Sequence, residues 1–330
     1  MSKLLSIIVP MYNSEAYLPK CLDSLLHQDI PLEDYDIILV NDGSPDGSKA
    51  LAGDYASKYP NIVVLSQENK GTSGARNTGI RYATGKYVYF VDPDDYILEN
   101  SLKDILQKME DESLDVLRFG YTEVDEEYKS TKSCKHPEQP DYSSKIMDGY
   151  TFMGERLGVA CYVWTFLFRL SIIKDNGVYF IEGDYFDDTP WLPKILALSK
   201  RVDSIDWKRH FYLIRNDSLV QSASMKNIQR KIDGQRFLLG EMQRQMGEVH
   251  NDDAIRWYKM MISHCVITLL TLVSLHKFDD RREYIKEMKY RSIFPISSYR
   301  NKKRATGLIK VNLINLSPDL YCRLIHALRS

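Results

Sequence analysis

Leu4-Leu5-Ser6-Ile7-Ile8-Val9-Pro10-Met11-Tyr12-Asn13 begins apolar and β-branched, meets a proline, and turns polar. Isoleucine and valine are stiff at χ1 and suit the extended chain, so Leu4–Val9 is predicted as a strand ended by Pro10. Behind it Leu18, Leu22, Leu25 and Leu26 share one helical face, and Ser14 is placed to cap a helix running to Leu26. The same alternation repeats outward. Asp36–Val40 is a second strand run, followed by the turn Asn41-Asp42-Gly43-Ser44 and a helix to about Lys58. Asn61–Leu65 reads as a third strand, Ser73–Ala83 as a helix, Lys86–Val91 as a fourth strand, Leu98–Met109 as a helix and Val116–Phe119 as a fifth strand. Near-continuous apolar strands alternating with helices predict an α/β fold, a mostly parallel sheet covered by helices on both faces.

Ligands of such sheets bind beyond the carboxyl ends of the strands. Three polar motifs fall there: Pro10-Met11-Tyr12-Asn13, Asn41-Asp42-Gly43-Ser44 and Asp92-Pro93-Asp94-Asp95. The last is the sharpest. Three carboxylates in four residues repel one another unless a cation joins them, and Mg²⁺ commonly bridges one or two carboxylates to substrate phosphates. An acidic turn capping the next helix is the plain alternative. Lys70-Gly71-Thr72-Ser73-Gly74-Ala75-Arg76-Asn77 opens a helix, whose N-terminus attracts anions while Arg76 adds a fixed charge; capping by Ser73 is the ordinary account. No Walker A loop is present and no G-x-G-x-x-G follows the first strand, which disfavours an ATPase or a dinucleotide enzyme.

The 330 residues suffice for one large domain or two. With 44% hydrophobic and 27% charged residues, the composition excludes a mostly disordered or collagen-like chain. The five cysteines are scattered and never spaced C-x-x-C, which argues against a disulfide framework or zinc site and for a reducing compartment. The apolar start is too short and interrupted for a signal peptide. The longest apolar stretch, Cys265–Leu275, is shorter than the about 20 residues a membrane span needs and reads as a buried helix. Charge is uneven. Residues 1–125 carry 11 Lys+Arg against 21 Asp+Glu, and residues 276–330 carry 13 against 5.

Residues 126–145, with Pro137 and Pro140, read as a mobile loop. From about Lys226 the pattern is largely helical, so the expected domains are 1–225 and a helical region 226–330. Tyr299-Arg300-Asn301-Lys302-Lys303-Arg304 and the apolar stripe Leu320, Leu324, Ile325, Leu328 give a basic amphipathic tail. Peripheral membrane contact through 299–330, docking on its own domain, and self-association are all left open. The tail lacks a recognised nucleic-acid motif, and no nucleic-acid partner is expected.

Together these motifs resemble the family 2 glycosyltransferases, nucleotide-sugar enzymes of the GT-A fold. The resemblance rests on Ser6–Asn13, Ile38–Ser44, Asn69–Ile80 and Tyr89–Asp95 in that order, and returns at Gly183–Trp191. It implies nucleotide contacts at Pro10, Tyr12, Asn13, Asp42, Gly71, Arg76 and Asp92. Tyr12 would lie along the base, with Asp42 paired to it. It implies a divalent cation, Mg²⁺ or Mn²⁺, at the D-x-D, held by Asp94 or by Asp95. The family's Glu-Asp pair reads Asp187-Asp188 here, which makes Asp188 the general base with Asp187 as competitor. An acceptor hydroxyl has a pKa far above 7, so a carboxylate must take its proton as the new C–O bond forms. The expected donor is a nucleotide-diphosphate sugar, UDP-sugar favoured. The expected acceptor is a glycan or lipid-linked hydroxyl at the cytoplasmic face of a membrane. Trp164 and Trp191 are candidate acceptor-side aromatics, though each reads more readily as core, and Arg215 is a candidate diphosphate contact, equally readable as a surface charge. His210, a lone histidine, reads as structural. The alternatives are a sugar-nucleotide pyrophosphorylase, which would need a glycine-rich basic loop at Pro10–Asn13, an inactive nucleotide-binding protein, and a membrane-surface adaptor.

Overall fold

A computed structural model describes residues 3–131, 143–183, 188–215, 224–297 and 305–328. The elements run β1 Leu5–Met11, α1 Leu18–Leu26, β2 Tyr35–Asn41, α2 Ser48–Lys58, β3 Ile62–Ser66, α3 Gly71–Tyr82, β4 Tyr87–Phe90, β5 Tyr96–Ile97, α4 Leu102–Asp111, β6 Val116–Val124, α5 Gly149–Glu155, β7 Phe166–Arg169, α6 Leu170–Asp175, α7 Asp188–Leu198, β8 Val202–Leu213, α8 Met225–Gly247, α9 Asp252–His276, α10 Arg281–Tyr290, α11 Ala305–Leu316 and α12 Pro318–Ala327. The chain divides into two units, Met1–Phe152 with Ala160–Ser218, and Met153–Val159 with Leu219–Ser330.

The first unit holds one eight-stranded sheet in the order β3-β2-β1-β4-β7-β6-β8-β5. The predicted parallel half is β3-β2-β1-β4. β7 then enters antiparallel between β4 and β6, so the sheet is mixed beyond β4. β6 and β8 are parallel, and the short β5 pairs antiparallel with β8. β1 and β2 are buried along their whole length, which is why they read as near-continuous apolar runs, broken only by the buried Ser6, Asp36 and Asn41.

Local details depart from expectation for identifiable reasons. β1 runs through Pro10 to Met11 instead of ending at it. Its pairing with β4 stops at Ile8↔Phe90, so Pro10 lies past the doubly paired stretch, where a missing N–H is tolerated. Ser14 does not cap α1. The helix starts at Leu18 with Pro19 in its first turn, and the Ser14 Oγ donates instead to Tyr12 O (3.1 Å). α4 begins at Leu102, because its first N–H groups, from Leu102 and Lys103, donate to Asp29 Oδ1 across 73 residues of chain. α3 lies close on the sheet at Gly79, where a Cβ would collide with the Ile8 side chain.

Of the stretch expected as a mobile loop, 132–142 lie outside the described residues. Before it, Val124 bridges Ser130 antiparallel; after it, Ser144 Oγ and Lys145 N donate to Asp203 at 2.7 Å each. In the second unit the predicted buried helix is the 25-residue α9, with Trp257, Tyr258, Met261, Cys265, Leu269, Leu270 and Val273 turned inward. It is the one helix among the described residues long and apolar enough to cross a membrane, and most of its apolar stretch is buried. Cys21, Cys161, Cys265 and Cys322 are free and buried; Cys134 lies outside the described residues, as does the cationic run Tyr299–Arg304.

Candidate active site

The carboxyl ends of β1, β2 and β4 form one rim. The Asp42 N–H donates to Met11 O (3.0 Å) and Gln67 N to Asn41 O (3.0 Å), tying the loops after β1, β2 and β3 together. Gly43 adopts φ +71 and a Cβ there would press on Asn69 N at 3.2 Å, so the turn after Asp42 needs glycine. Asp42 is buried. Its Oδ1 accepts from Lys70 N (2.9 Å), just before α3, and from Gln67 Nε2 (2.7 Å). Tyr12 is 52% exposed, followed by Asn13 at φ 53. Tyr12 follows Met11, whose carbonyl takes the Asp42 N–H, so an exposed ring and a buried carboxylate share this rim. Gly71, at φ +77 with open space around it, begins α3. Ser73 does not cap that helix: its buried Oγ has no hydrogen-bond partner.

The three carboxylates of the Asp92-Pro93-Asp94-Asp95 turn part company. Asp95 faces the protein interior. Its Oδ2 meets His210 Nε2 (2.9 Å), its Oδ1 accepts from Leu213 N (2.9 Å), and its own N–H returns to Asp92 O (3.0 Å). His210 Nδ1 pairs with the Tyr89 hydroxyl at 2.7 Å. All three side chains are buried. Burial lowers His210 to about 3, so the ring is neutral, and raises Asp95 and Tyr89 well above their ordinary values. This Asp95–His210–Tyr89 chain fastens the acidic turn to β8 and β4. His210 is thus structural, as expected, yet it touches the site through Asp95.

Asp94 and Asp92 remain partly open. Asp94 Oδ2 pairs with Arg215 (2.9 Å), whose guanidinium also lies over the Tyr17 ring. Burial, then the negative charges of Asp95 and Asp92, push the Asp94 carboxyl up to about 7, against the pull of Arg215. Among the described residues no group of three or more His, Cys, Asp or Glu side chains is placed to hold a metal. Two partly open carboxylates still fit a hard divalent cation that takes its other oxygens from phosphate and water.

Arg76 is the least expected feature. It is 2% exposed, and its fork spans two carboxylates: Nη2 to Asp92 Oδ1 (2.9 Å) and Nη1 to Asp188 Oδ1 (2.6 Å). Asp188, the first residue of α7, also accepts the Val163 N–H on Oδ2 (3.1 Å). One arginine therefore ties the acidic turn to the expected base. Asp187 lies outside the described residues. The two tryptophans are core rather than acceptor-facing. Trp191 packs on Phe180 (4.4 Å, 7°), Phe168 and Phe90, and donates Nε1–H to Val178 O. Trp164 is buried in a stack with Tyr162 (5.0 Å), Tyr212 (5.3 Å) and His210 (4.6 Å). Large apolar rings in a short aromatic-rich segment fill a core whatever else the segment does.

Residues 6–177 match the profile of the family described as Glycosyl transferase family 2. The chain belongs to that family. A relative, the uncharacterized glycosyltransferase EpsJ of Bacillus subtilis strain 168, is 36% identical over 228 residues, 67% of this chain and 64% of that protein. The chain thus matches slightly under two thirds of that relative's length. The poly(ribitol-phosphate) β-N-acetylglucosaminyltransferase TarS of Staphylococcus aureus is 28% identical over 255 residues, covering 76% of this chain and 42% of TarS. The crystal structure of TarS residues 1–349 superimposes with TM-score 0.72 at 20% identity, over 98% of this chain and 90% of that one. Its complex with UDP-GlcNAc gives TM-score 0.67 over the same shares. The mannosyltransferase PcManGT of Pyrobaculum calidifontis, in complex with GDP-Man and Mn²⁺, gives 0.56 at 13% identity, over 100% of this chain and 87% of that one. The fold is GT-A with a helical C-terminal region.

Proposed function

We propose that this family 2 protein is an inverting glycosyltransferase, moving a sugar from a nucleotide-diphosphate donor to a hydroxyl of a glycan or lipid-linked acceptor. The observation that carries the reading is the Arg76 fork, which brings Asp188 and the acidic turn to one rim. In this reading Tyr12 and Asp42 take the base, with Pro10, Asn13 and Gly71 shaping its pocket, and Asp92 faces the ribose. A UDP-sugar is favoured, since TarS, of the same fold, was crystallised with UDP-GlcNAc. The reaction belongs, in the same reading, at the cytoplasmic face of a membrane.

Asp188 acts as general base. Its carboxylate is held at the rim by Arg76 on one oxygen and the Val163 N–H on the other. A carboxylate offers about four acceptor positions, enough to take a proton while keeping such bonds. It takes the acceptor proton as that oxygen attacks the anomeric carbon opposite the leaving diphosphate, which inverts the centre. Asp94, with Asp92 beside it, would hold Mg²⁺ or Mn²⁺, which supplies positive charge against the leaving diphosphate. Arg215, paired with Asp94, stands ready to turn to the same phosphates. Asp95 serves as an anchor for the turn and not as the metal ligand.

Calorimetric titration of UDP and GDP, with and without Mn²⁺, on wild type and Asp94→Ala tests the donor half. Turnover by Asp188→Asn tests the base. Metal-dependent UDP binding lost in Asp94→Ala, with Asp188→Asn binding donor yet turning over about 10²- to 10⁴-fold slower, is expected. Absence of nucleotide binding under every metal condition overturns the transferase reading; full turnover by Asp188→Asn overturns the base.

A further inference from the structure

The last two helices expose more large apolar side chains than an ordinary surface helix, set among the exposed Asn312, Asn315, Arg323 and His326. α11 turns only part of its apolar surface inward: Val311 and Ile314 are buried, yet Ile309 is 62% and Leu316 79% exposed. α12 buries Tyr321 and Cys322, with the Tyr321 hydroxyl bonded to Thr271 Oγ1 (2.7 Å), while Leu320 (41%), Leu324 (45%) and Leu328 (84%) are exposed. Those three leucines recur every fourth residue and so form one stripe along α12. With Leu308, six leucines and isoleucines lie exposed between residues 308 and 328. Elsewhere among the described residues the exposed leucines are Leu32, Leu98 and Leu198, set far apart in the sequence. Single exposed leucines are ordinary; a cluster of six marks an interaction surface.

Charge says what covers it. After Glu287 the sequence has nine Lys+Arg and a single acidic residue, Asp319; of the nine, Lys289, Arg291, Lys310 and Arg323 are among the described residues. Both Asp319 oxygens are already engaged, Oδ1 by Arg281 (2.9 Å) and Oδ2 by Arg323 (2.8 Å). The apolar face is therefore set in a stretch with no uncompensated negative charge. A twofold pairing of this face with itself would bring two such cationic stretches together. An anionic bilayer surface satisfies both features: acyl chains receive the leucines and headgroups receive the cations of the same helices, Lys310 and Arg323.

We infer that the exposed face of α11 and α12, carrying Ile309, Leu316, Leu320, Leu324 and Leu328, seats this protein on an anionic lipid surface. The helices lie on the membrane and do not span it. The inference needs no donor, acceptor or catalytic step and stands independently of the proposed reaction.

The test is co-sedimentation of the full chain with vesicles of phosphatidylcholine alone and of phosphatidylcholine with roughly a third phosphatidylglycerol. Wild type is expected to bind the anionic vesicles at least about tenfold more tightly than the neutral ones, and to be released by salt near the Debye-screening range of roughly 0.5 M. Leu316→Ser/Leu320→Ser/Leu324→Ser should lose binding about tenfold or more while its thermal transition and its UDP affinity stay those of wild type. These side chains are 41–79% exposed and none is a core residue, so the variant should fold. Arg323→Ala with Lys310→Ala gives a second, milder variant that weakens anionic binding only. No binding to either vesicle, or equal binding to both, overturns the inference. So does a wild-type dimer in sedimentation equilibrium that the triple variant abolishes, since the face would then belong to a second copy.

Discussion

Replacing Arg76 by methionine separates two accounts of that residue. The family resemblance makes it a nucleotide contact; the structure makes it the cation between Asp92 and Asp188. Methionine keeps most of the stem and removes the fork. Breaking a fully desolvated ion pair from one side costs about 3–5 kcal/mol. Here the carboxylate side chains keep 27% and 16% exposure, so water recovers part of the loss and we expect about 2–3 kcal/mol. For a folding unit of about 200 residues that is a fall in Tm of about 5–10 °C. Asp188 keeps its Val163 N–H bond but loses its lateral anchor. Turnover should drop about 10²-fold or more, while UDP affinity changes less than about tenfold. Differential scanning calorimetry, UDP titration and initial rates on one preparation measure all three. An unchanged Tm with UDP binding abolished would refute the reasoning, because Arg76 would then act on the nucleotide and not on the carboxylates.

His210→Phe strips Asp95 of its 2.9 Å partner and Tyr89 of its 2.7 Å partner, for about 3 kcal/mol, whereas Tyr89→Phe breaks one contact for about 1 kcal/mol; equal losses in urea melts would show that the three groups are not one chain. Asp94, raised to about 7 from an ordinary 3.8, favours its protonated form in the fold. Its contribution to stability is complete below about pH 4 and is lost as pH rises through about 7. Cation and donor need the ionised form, so the Tm gain from Mn²⁺ plus UDP should grow between about pH 6 and about pH 8, and a pH-independent gain would contradict the assignment. Gly79→Ala puts a methyl group into the Ile8 side chain, and despite alanine's better helix propensity we expect a net loss of about 1–3 kcal/mol by denaturant melt. An unchanged midpoint would mean that α3 and β1 have room between them.

The local sequence determined the half of the fold whose information is local. β1, β2 and β4 are buried on both faces, so their residues are nearly all apolar and can be read as strands from the chain alone. The loops at their carboxyl ends carry Asp42 and the acidic turn for the same reason: on a parallel sheet, function collects at that rim. β7 and its antiparallel insertion between β4 and β6 were not legible, because strand order is a choice among non-local pairings that leaves no periodic trace. The same limit explains the caps. Asp29 serves α4 from 73 residues away, and no local pattern announces it.

Within the site, residue type and position named Asp42, Asp92, Asp94 and Arg76 as candidates, and the family resemblance added Asp188. It could not sort them. Asp94 and Asp95 are chemically identical neighbours, and only the fold turns one toward Arg215 and the other into contact with His210. Trp164 and Trp191 could have faced a sugar or a core, and the rings packed around them decide for the core. Arg76 and Asp188 stand 112 residues apart in the chain, and Arg76 and His210 gain their roles from partners that sequence spacing cannot supply. Chemistry is a property of side chains and is written in the sequence; which charges share one low-dielectric pocket is a property of the tertiary structure, because burial and distance set the strength of every such interaction.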